Sequence, residues 1–98
     1  MTMCVKVHQF KDRSVVAIAD KEIIGKIFTE KNLEINISAH FYSGEEKSKD
    51  EVIEILKRSS NLNLVGKETI QLALEHDIID KESIITIQGI PHCCIFGL

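Results

Sequence analysis

Ser83-Ile84-Ile85-Thr86-Ile87-Gln88-Gly89-Ile90-Pro91-His92-Cys93-Cys94-Ile95-Phe96-Gly97-Leu98 holds the strongest β-type apolar run of the chain, its one proline, one of its four histidines and two of its three cysteines. Ile84–Ile87 is dominated by β-branched side chains, which suit a pleated, half-buried surface. Gly89 and Pro91 mark a bend in which proline fixes the backbone and sets His92 at the edge of the sheet, and His92–Phe96 returns as a last strand. The remainder of the chain is read outward from this pair of strands.

At the other end, Val5 and Val7 alternate with Cys4, Lys6 and His8. Lys11-Asp12-Arg13-Ser14 then interrupts with polar residues ahead of Val15-Val16-Ala17-Ile18-Ala19. That pattern predicts two strands in an antiparallel hairpin. Asp20 can cap a short helix over Lys21–Phe28, where Ile23, Ile24 and Ile27 recur at helical spacing, although Gly25 inside it costs about 1 kcal/mol relative to alanine. A tight helical turn or a bent loop is the alternative there. Leu33, Ile35 and Ile37 alternate with Glu34, Asn36 and Ser38, which predicts a third strand with one buried and one wet face. Ser48 with Glu51 three residues on is a capping box, and Val52, Ile53, Ile55 and Leu56 follow it on one side of a helix ending near Arg58. Asn61–Gly66 reads as the connection to a second helix bearing Ile70, Ala73 and Leu74, ending by His76–Asp77. The order is β-β-(α)-β-α-α-β-β. It predicts an α+β protein, with a single small mixed or mainly antiparallel sheet covered on one face by a helix pair.

Ninety-eight residues suit one domain, 1–98. Hydrophobic residues make up 44% and charged residues 28%, which places the chain among globular domains and argues against disorder. The net charge of −3 disfavours nucleic-acid binding through bulk charge and leaves a local basic patch for such a role. Three cysteines, two of them adjacent, do not make a disulfide framework and suit a reducing cytosol. No apolar run approaches the roughly 18–20 residues of a membrane span. A cytoplasmic protein is the expectation.

Four groups of residues invite chemistry. Cys4, His8, His92, Cys93 and Cys94 suggest zinc, yet Cys4 and His8 on a strand lie about 13 Å apart and cannot grip one ion. Cys93 and Cys94 read as small packing residues of the core, with no metal. Cysteine catalysis needs a base within hydrogen-bond reach of the thiolate; His92 and Cys93 point to opposite faces of a strand, while Cys94 can share a face with His92. Gly25-Lys26 and Gly66-Lys67 could each seat an anion at a helix start, Asn63 included in the second, but neither lies in a nucleotide-hydrolysing pattern. Phe41-Tyr42-Ser43-Gly44 takes two aromatics into a turn, where one ring could stack on a base. His40 and His76 read as surface histidines without a role.

Through Ile23-Ile24-Gly25-Lys26, Phe41-Tyr42-Ser43-Gly44, Asn63-Leu64-Val65-Gly66 and Gly89-Ile90-Pro91-His92, in that order, the chain resembles a family of small archaeal proteins known as domain of unknown function 424. The resemblance runs from Val5 to about Phe96. It implies a compact archaeal cytoplasmic protein, and the family's company with translation genes implies association with RNA or the ribosome. It carries over no catalytic residue. Relatives tend to follow the proline–histidine pair with a small and then a polar residue, whereas this chain has Cys93-Cys94, which makes a shared role for either thiol doubtful.

The leading expectation is therefore a non-enzymatic binding module, without cofactor, contacting RNA or ribosomal components through the Gly66 helix start, the Phe41–Gly44 turn and the Pro91-His92 loop. The net negative charge leaves room for a protein partner. A small enzyme or small-molecule binder using His92 as acid or base, with Asp20 or Lys26 nearby, is the alternative. A homodimer pairing the Ile-rich strand across its interface is the third.

Overall fold

A computed structural model describes residues 2–97. Eight strands are present, β1 (Met3–Gln9), β2 (Ser14–Asp20), β3 (Ile27–Glu30), β4 (Leu33–Asn36), β5 (Glu45–Lys47), β6 (Asn61–Val65), β7 (Ile85–Ile87) and β8 (Ile90–Phe96), with helices α1 (Ala39–Tyr42), α2 (Lys49–Arg58) and α3 (Lys67–Glu75). Six strands form one sheet in the order β5-β1-β2-β6-β8-β7, and β3 pairs with β4 in a separate two-stranded sheet. The protein is α+β with a mainly antiparallel sheet, as its sequence predicts; only β2 and β6 run parallel within it.

The β1–β2 hairpin forms in the register Met3↔Asp20 to Gln9↔Ser14, closed by a bond from Phe10 N–H to the Arg13 carbonyl at 2.8 Å. Strand alternation divides the sheet into two faces. One carries Met3, Val5, Val16, Ile18, Leu62, Leu64 and Cys93, and packs on α2 and α3 through Val52, Leu56, Ile70, Leu72 and Ala73. The opposite face carries Ala17, Ala19, Val65 and Ile87, and is covered by the β3–β4 hairpin and α1 through Ile35, Ile37 and Tyr42. The expected helix pair thus takes one face, and a second layer shields part of the other.

The expected connection Asn61–Gly66 is instead β6, at the centre of the sheet, so a strand separates the two helices in the chain order. It lies between β2 and β8, with Leu62 and Leu64 almost wholly buried. Asparagine is a poor strand former in isolation, but both asparagines here have fixed partners. Asn61 donates through Nδ2 to the Ser14 carbonyl and accepts from Gly97 N–H, while Asn63 joins the cluster described below.

Other local differences have equally specific causes. Over Lys21–Phe28 the alternative of a tight helical turn holds and the longer helix does not: one 3-10 turn over Lys21–Ile23 ends before Gly25, whose φ of 95° lies outside the helical region, and the chain leaves as β3. Phe41-Tyr42 does not sit in an open turn but ends the one-turn helix α1, whose Ser38 cap accepts from Phe41 N–H. The bend before β8 lies at Gln88-Gly89, both at positive φ as a tight two-residue hairpin demands, and Pro91 lies inside the strand. Its carbonyl bonds Gly66 N–H just where β6 has ended, so the missing proline N–H on that side leaves no ladder partner stranded. His92 consequently sits within β8, one strand in from the edge, and not on a loop. The capping box forms as expected, with Ser48 and Glu51 bonding reciprocally at 2.9 and 3.3 Å.

No helix of the described residues is long and apolar enough to cross a membrane.

Candidate binding site on the half-covered sheet face

The layer of β3, β4 and α1 covers only one end of its sheet face. Beyond Tyr42 the face lies open, and the strands deliver Val15 from β2, Asn63 from β6, and Cys94 and Phe96 from β8 to it in successive cross-strand positions. Phe10, leaving β1, and Phe41, on α1, flank this floor. With Asp12, Arg13 and Phe96 they line an open depression of about 520 Å³. Phe10 and Phe96 are more than half exposed. An exposed aromatic gains nothing from the core, so two of them beside a third on one shallow face form a stacking surface.

The edge of that surface is held rigidly. His8 stacks on Phe41 with ring centroids 4.3 Å apart and 13° between planes, and its Nε2 lies 2.8 Å from the Phe41 carbonyl. Phe41 meets Tyr42 edge-on at 4.9 Å. Tyr42 Oη donates to Asn63 Oδ1 at 2.6 Å, and His92 Nε2 lies 3.0 Å from the same oxygen. A carbonyl oxygen only accepts, so this geometry puts the proton of His92 on Nε2 and leaves Nδ1 with the lone pair. Burial pushes the Tyr42 hydroxyl up to about 12, with the neighbouring Cys94 adding to the shift.

Cys94 Sγ lies 3.6 Å from that same Nε2. The distance resembles a catalytic dyad, but the protonation is wrong for one. Nε2 already donates to Asn63 and has no lone pair to take a thiol proton. Burial also lowers the pKa of His92 and raises that of Cys94, with Cys93 adding to the latter, so both groups are held neutral. The result is a neutral hydrogen-bonded cluster without an activated nucleophile. Among the described residues no group of three or more His, Cys, Asp or Glu gathers as a metal set.

Of the residues that the sequence suggests, Phe41, Tyr42, Asn63 and His92 come together here. Gly44 lies outside the cluster, packed against β1 where a side chain would strike the Val5 carbonyl. Pro91 lies next to His92 but on the opposite face of β8. Gly25 and Lys26 lie apart, at the entry to β3. Gly66 and Lys67 begin α3, and two of the amides that could have held an anion, those of Glu68 and Thr69, are already occupied. Asp20 accepts from Glu68 N–H at 3.0 Å, Thr69 N–H at 2.9 Å and Thr69 Oγ1 at 2.7 Å, and Gly66 leaves room for that carboxylate. Asp20 faces α3 and His92 the other side of the sheet, so they do not form an acid–base pair. Of the adjacent cysteines only Cys93 is a core residue; Cys94 is exposed on the open face.

Phe10, Arg13 and Phe96 are the site residues that sequence reasoning does not single out. Each stands at or just beyond a strand terminus, and for Phe10 and Phe96 the visible signal is a large aromatic where the alternating pattern should already have given way to turn residues.

A solved structure described as an uncharacterized conserved protein from Methanopyrus kandleri shares the fold, with a TM-score of 0.77 at 20% identity over 100% of this chain and 95% of that one. No curated protein matches the chain. The family described as "Protein of unknown function (DUF424)" matches over residues 8–98, nearly the whole length, and the chain belongs to that family.

Proposed function

We propose that the protein is a non-enzymatic binding module of the cytoplasm that holds single-stranded RNA, alone or within a ribonucleoprotein, on the open sheet face. One observation carries this reading: three of the chain's four phenylalanines, Phe10, Phe41 and Phe96, line a single shallow depression with Arg13 at its rim. Single-strand binders use such aromatic platforms because every base has a π face, and stacking is worth about 1–3 kcal/mol per base. The fixed cluster of Tyr42, Asn63 and His92 supports the platform's edge, and its neutrality argues against a catalytic use of the same residues. A net charge of −3 fits a localised site better than a uniformly basic surface.

The test is an NMR titration with oligouridine of about ten nucleotides, within the usual range of single-strand sites. The amides of Phe10, Val15, Phe41, Asn63 and Phe96 are expected to shift together. Phe96→Ala, which removes a largely exposed ring, is expected to weaken binding about tenfold while leaving the melting temperature nearly unchanged. Unmoved amides at saturating RNA would refute the reading.

A further inference from the structure

Around the Asp12–Arg13 turn from the aromatic depression lies a second and larger one, an open groove of about 1140 Å³ between the β1–β2 hairpin, β5 and the end of α2. The two share Asp12 and Arg13 in their walls. Phe96 lines the first and Gly97, the next residue, lines the second. They therefore meet at two points and form one continuous surface that bends over the end of the sheet.

The composition of the groove is unlike that of the chain. It gathers Arg13, Lys47 and Arg58 against the carboxylates Asp12 and Glu45, three cations to two anions, in a protein whose total charge is −3; Lys6 also lines it, but its ammonium is turned to α1 on the opposite face. Arg13 and Arg58 are the only arginines in the sequence, and both lie here. Ser14 and Ser60 add hydroxyls to the walls, while the Ser59 hydroxyl is already donated to the Ile55 carbonyl at 2.6 Å. Lys47 is paired with Glu45 at 3.1 Å, Arg13 is 3.9 Å from Asp12, and Lys6 donates to the His40 carbonyl. Arg58 makes no ion pair among the described residues. A planar guanidinium presenting paired N–H donors, beside serine hydroxyls and without a carboxylate to neutralise it, matches a phosphodiester.

From this we infer that the groove is the phosphate track of the same RNA site, so that a single strand stacks its bases on Phe10, Phe41 and Phe96 and carries its backbone over Arg13 towards Arg58. This rests on the proposed function and adds to it the path of the strand and the residue that anchors its charge. Lys57 provides the contrast. It carries the same charge in the same last turn of α2 but does not line the groove.

The experiment is fluorescence anisotropy with labelled oligouridine of about ten nucleotides over a series of salt concentrations. Wild type is compared with Arg58→Gln, Lys57→Gln and Phe96→Ala, each checked for folding by circular dichroism. Each phosphate contact contributes about 0.7 to the slope of log K against log salt for single strands. Arg58→Gln should lower the magnitude of that slope by about 0.7, Lys57→Gln should leave it unchanged, and Phe96→Ala should weaken binding at unchanged slope. If wild type binds and Phe96→Ala weakens it, but Arg58→Gln keeps the wild-type slope or Lys57→Gln lowers it equally, the track is refuted while the aromatic site stands. If wild type does not bind oligouridine at all, the proposed function itself fails.

Discussion

Removal of the Asp20 carboxylate should destabilise the protein by about 3 kcal/mol, because that group does at the start of α3 what the helix cannot do for itself. Gly66, the residue in the cap position, has no side chain, so the first amides of the helix have no local acceptor. Asp20 reaches across from the end of β2 and accepts three hydrogen bonds, from Glu68 N–H, Thr69 N–H and the Thr69 hydroxyl. Asp20 is 3% exposed and Thr69 is fully buried, so water cannot readily replace the lost partners. An ordinary cap is worth about 1 kcal/mol, and each buried donor left unpaired costs about 1–3 kcal/mol. Asp20→Ala loses the cap and strands two Thr69 donors, which gives about 3 kcal/mol at the low end of those ranges. At about 4–8 °C per kcal/mol for a domain of this size, the melting temperature should fall by roughly 12–24 °C. Asp20→Asn keeps one accepting oxygen and should lose about half as much. Urea unfolding of Asp20→Ala, Thr69→Val and the double variant measures the coupling, which should exceed about 1 kcal/mol. A loss below 1 kcal/mol for Asp20→Ala, or additive single variants, would refute the capping account. Asp20→Asn should also bind oligouridine like wild type, because its side chain lies on the far side of the sheet from Asn63 and His92.

Two further outcomes follow from the Asn63 cluster. Tyr42 is the only tyrosine in a chain without tryptophan, so its ionisation can be followed cleanly by tyrosinate absorbance. The midpoint should lie near 12 against the ordinary 10.0, and a midpoint at the ordinary value would show the hydroxyl to be solvated. His92 is held neutral by burial, below the ordinary 6.5, so the unfolded chain takes up its proton first as pH falls. The stability it contributes is present above 6.5 and declines as pH drops from there towards the lowered folded value. Urea unfolding of wild type and His92→Gln above and about a unit below 6.5 should show a shallower acid loss in the variant, and parallel profiles would remove His92 as the cause.

Legibility in the sequence followed the range of the interactions concerned. The β1–β2 hairpin and α2 rest on short-range rules, strict alternation in one and the Ser48–Glu51 box in the other, and both appear where those rules place them. The strand β6 was obscured because its period-2 signal, Leu62 and Leu64 against Asn61 and Asn63, is only five residues long and is written in residues that favour turns. Its asparagines are tolerated through Ser14, Gly97, Tyr42 and His92, which lie far away in sequence. The candidate site was half legible for the same reason. Phe41, Tyr42, Asn63 and His92 carry visible chemistry, whereas Phe10 and Phe96 come to line one depression only when β1 and β8 are laid in one sheet, and Arg13 and Arg58 come to line one groove only when α2 packs beside the hairpin.

The open face itself follows from how few residues are available to cover it. The helices α2 and α3 supply nineteen residues to one side of the sheet, as ten and nine. The other side receives only the eight residues of β3 and β4 and the four of α1. That layer is placed over Ala17, Ala19 and Val65, where small side chains let it pack closely, and it stops at Tyr42. Past that point the sheet changes from small apolar residues to Asn63, Cys94 and Phe96, and burying these under a further layer would require partners for the asparagine amide and the thiol. Tyr42 and His92 satisfy the carbonyl half of that amide from the side, and the open face leaves its NH2 group to solvent. The aromatic floor beyond Tyr42 is thus an outcome of the same packing that makes the core, and a ligand ring stacked there, as proposed above, would meet strands already held in the sheet.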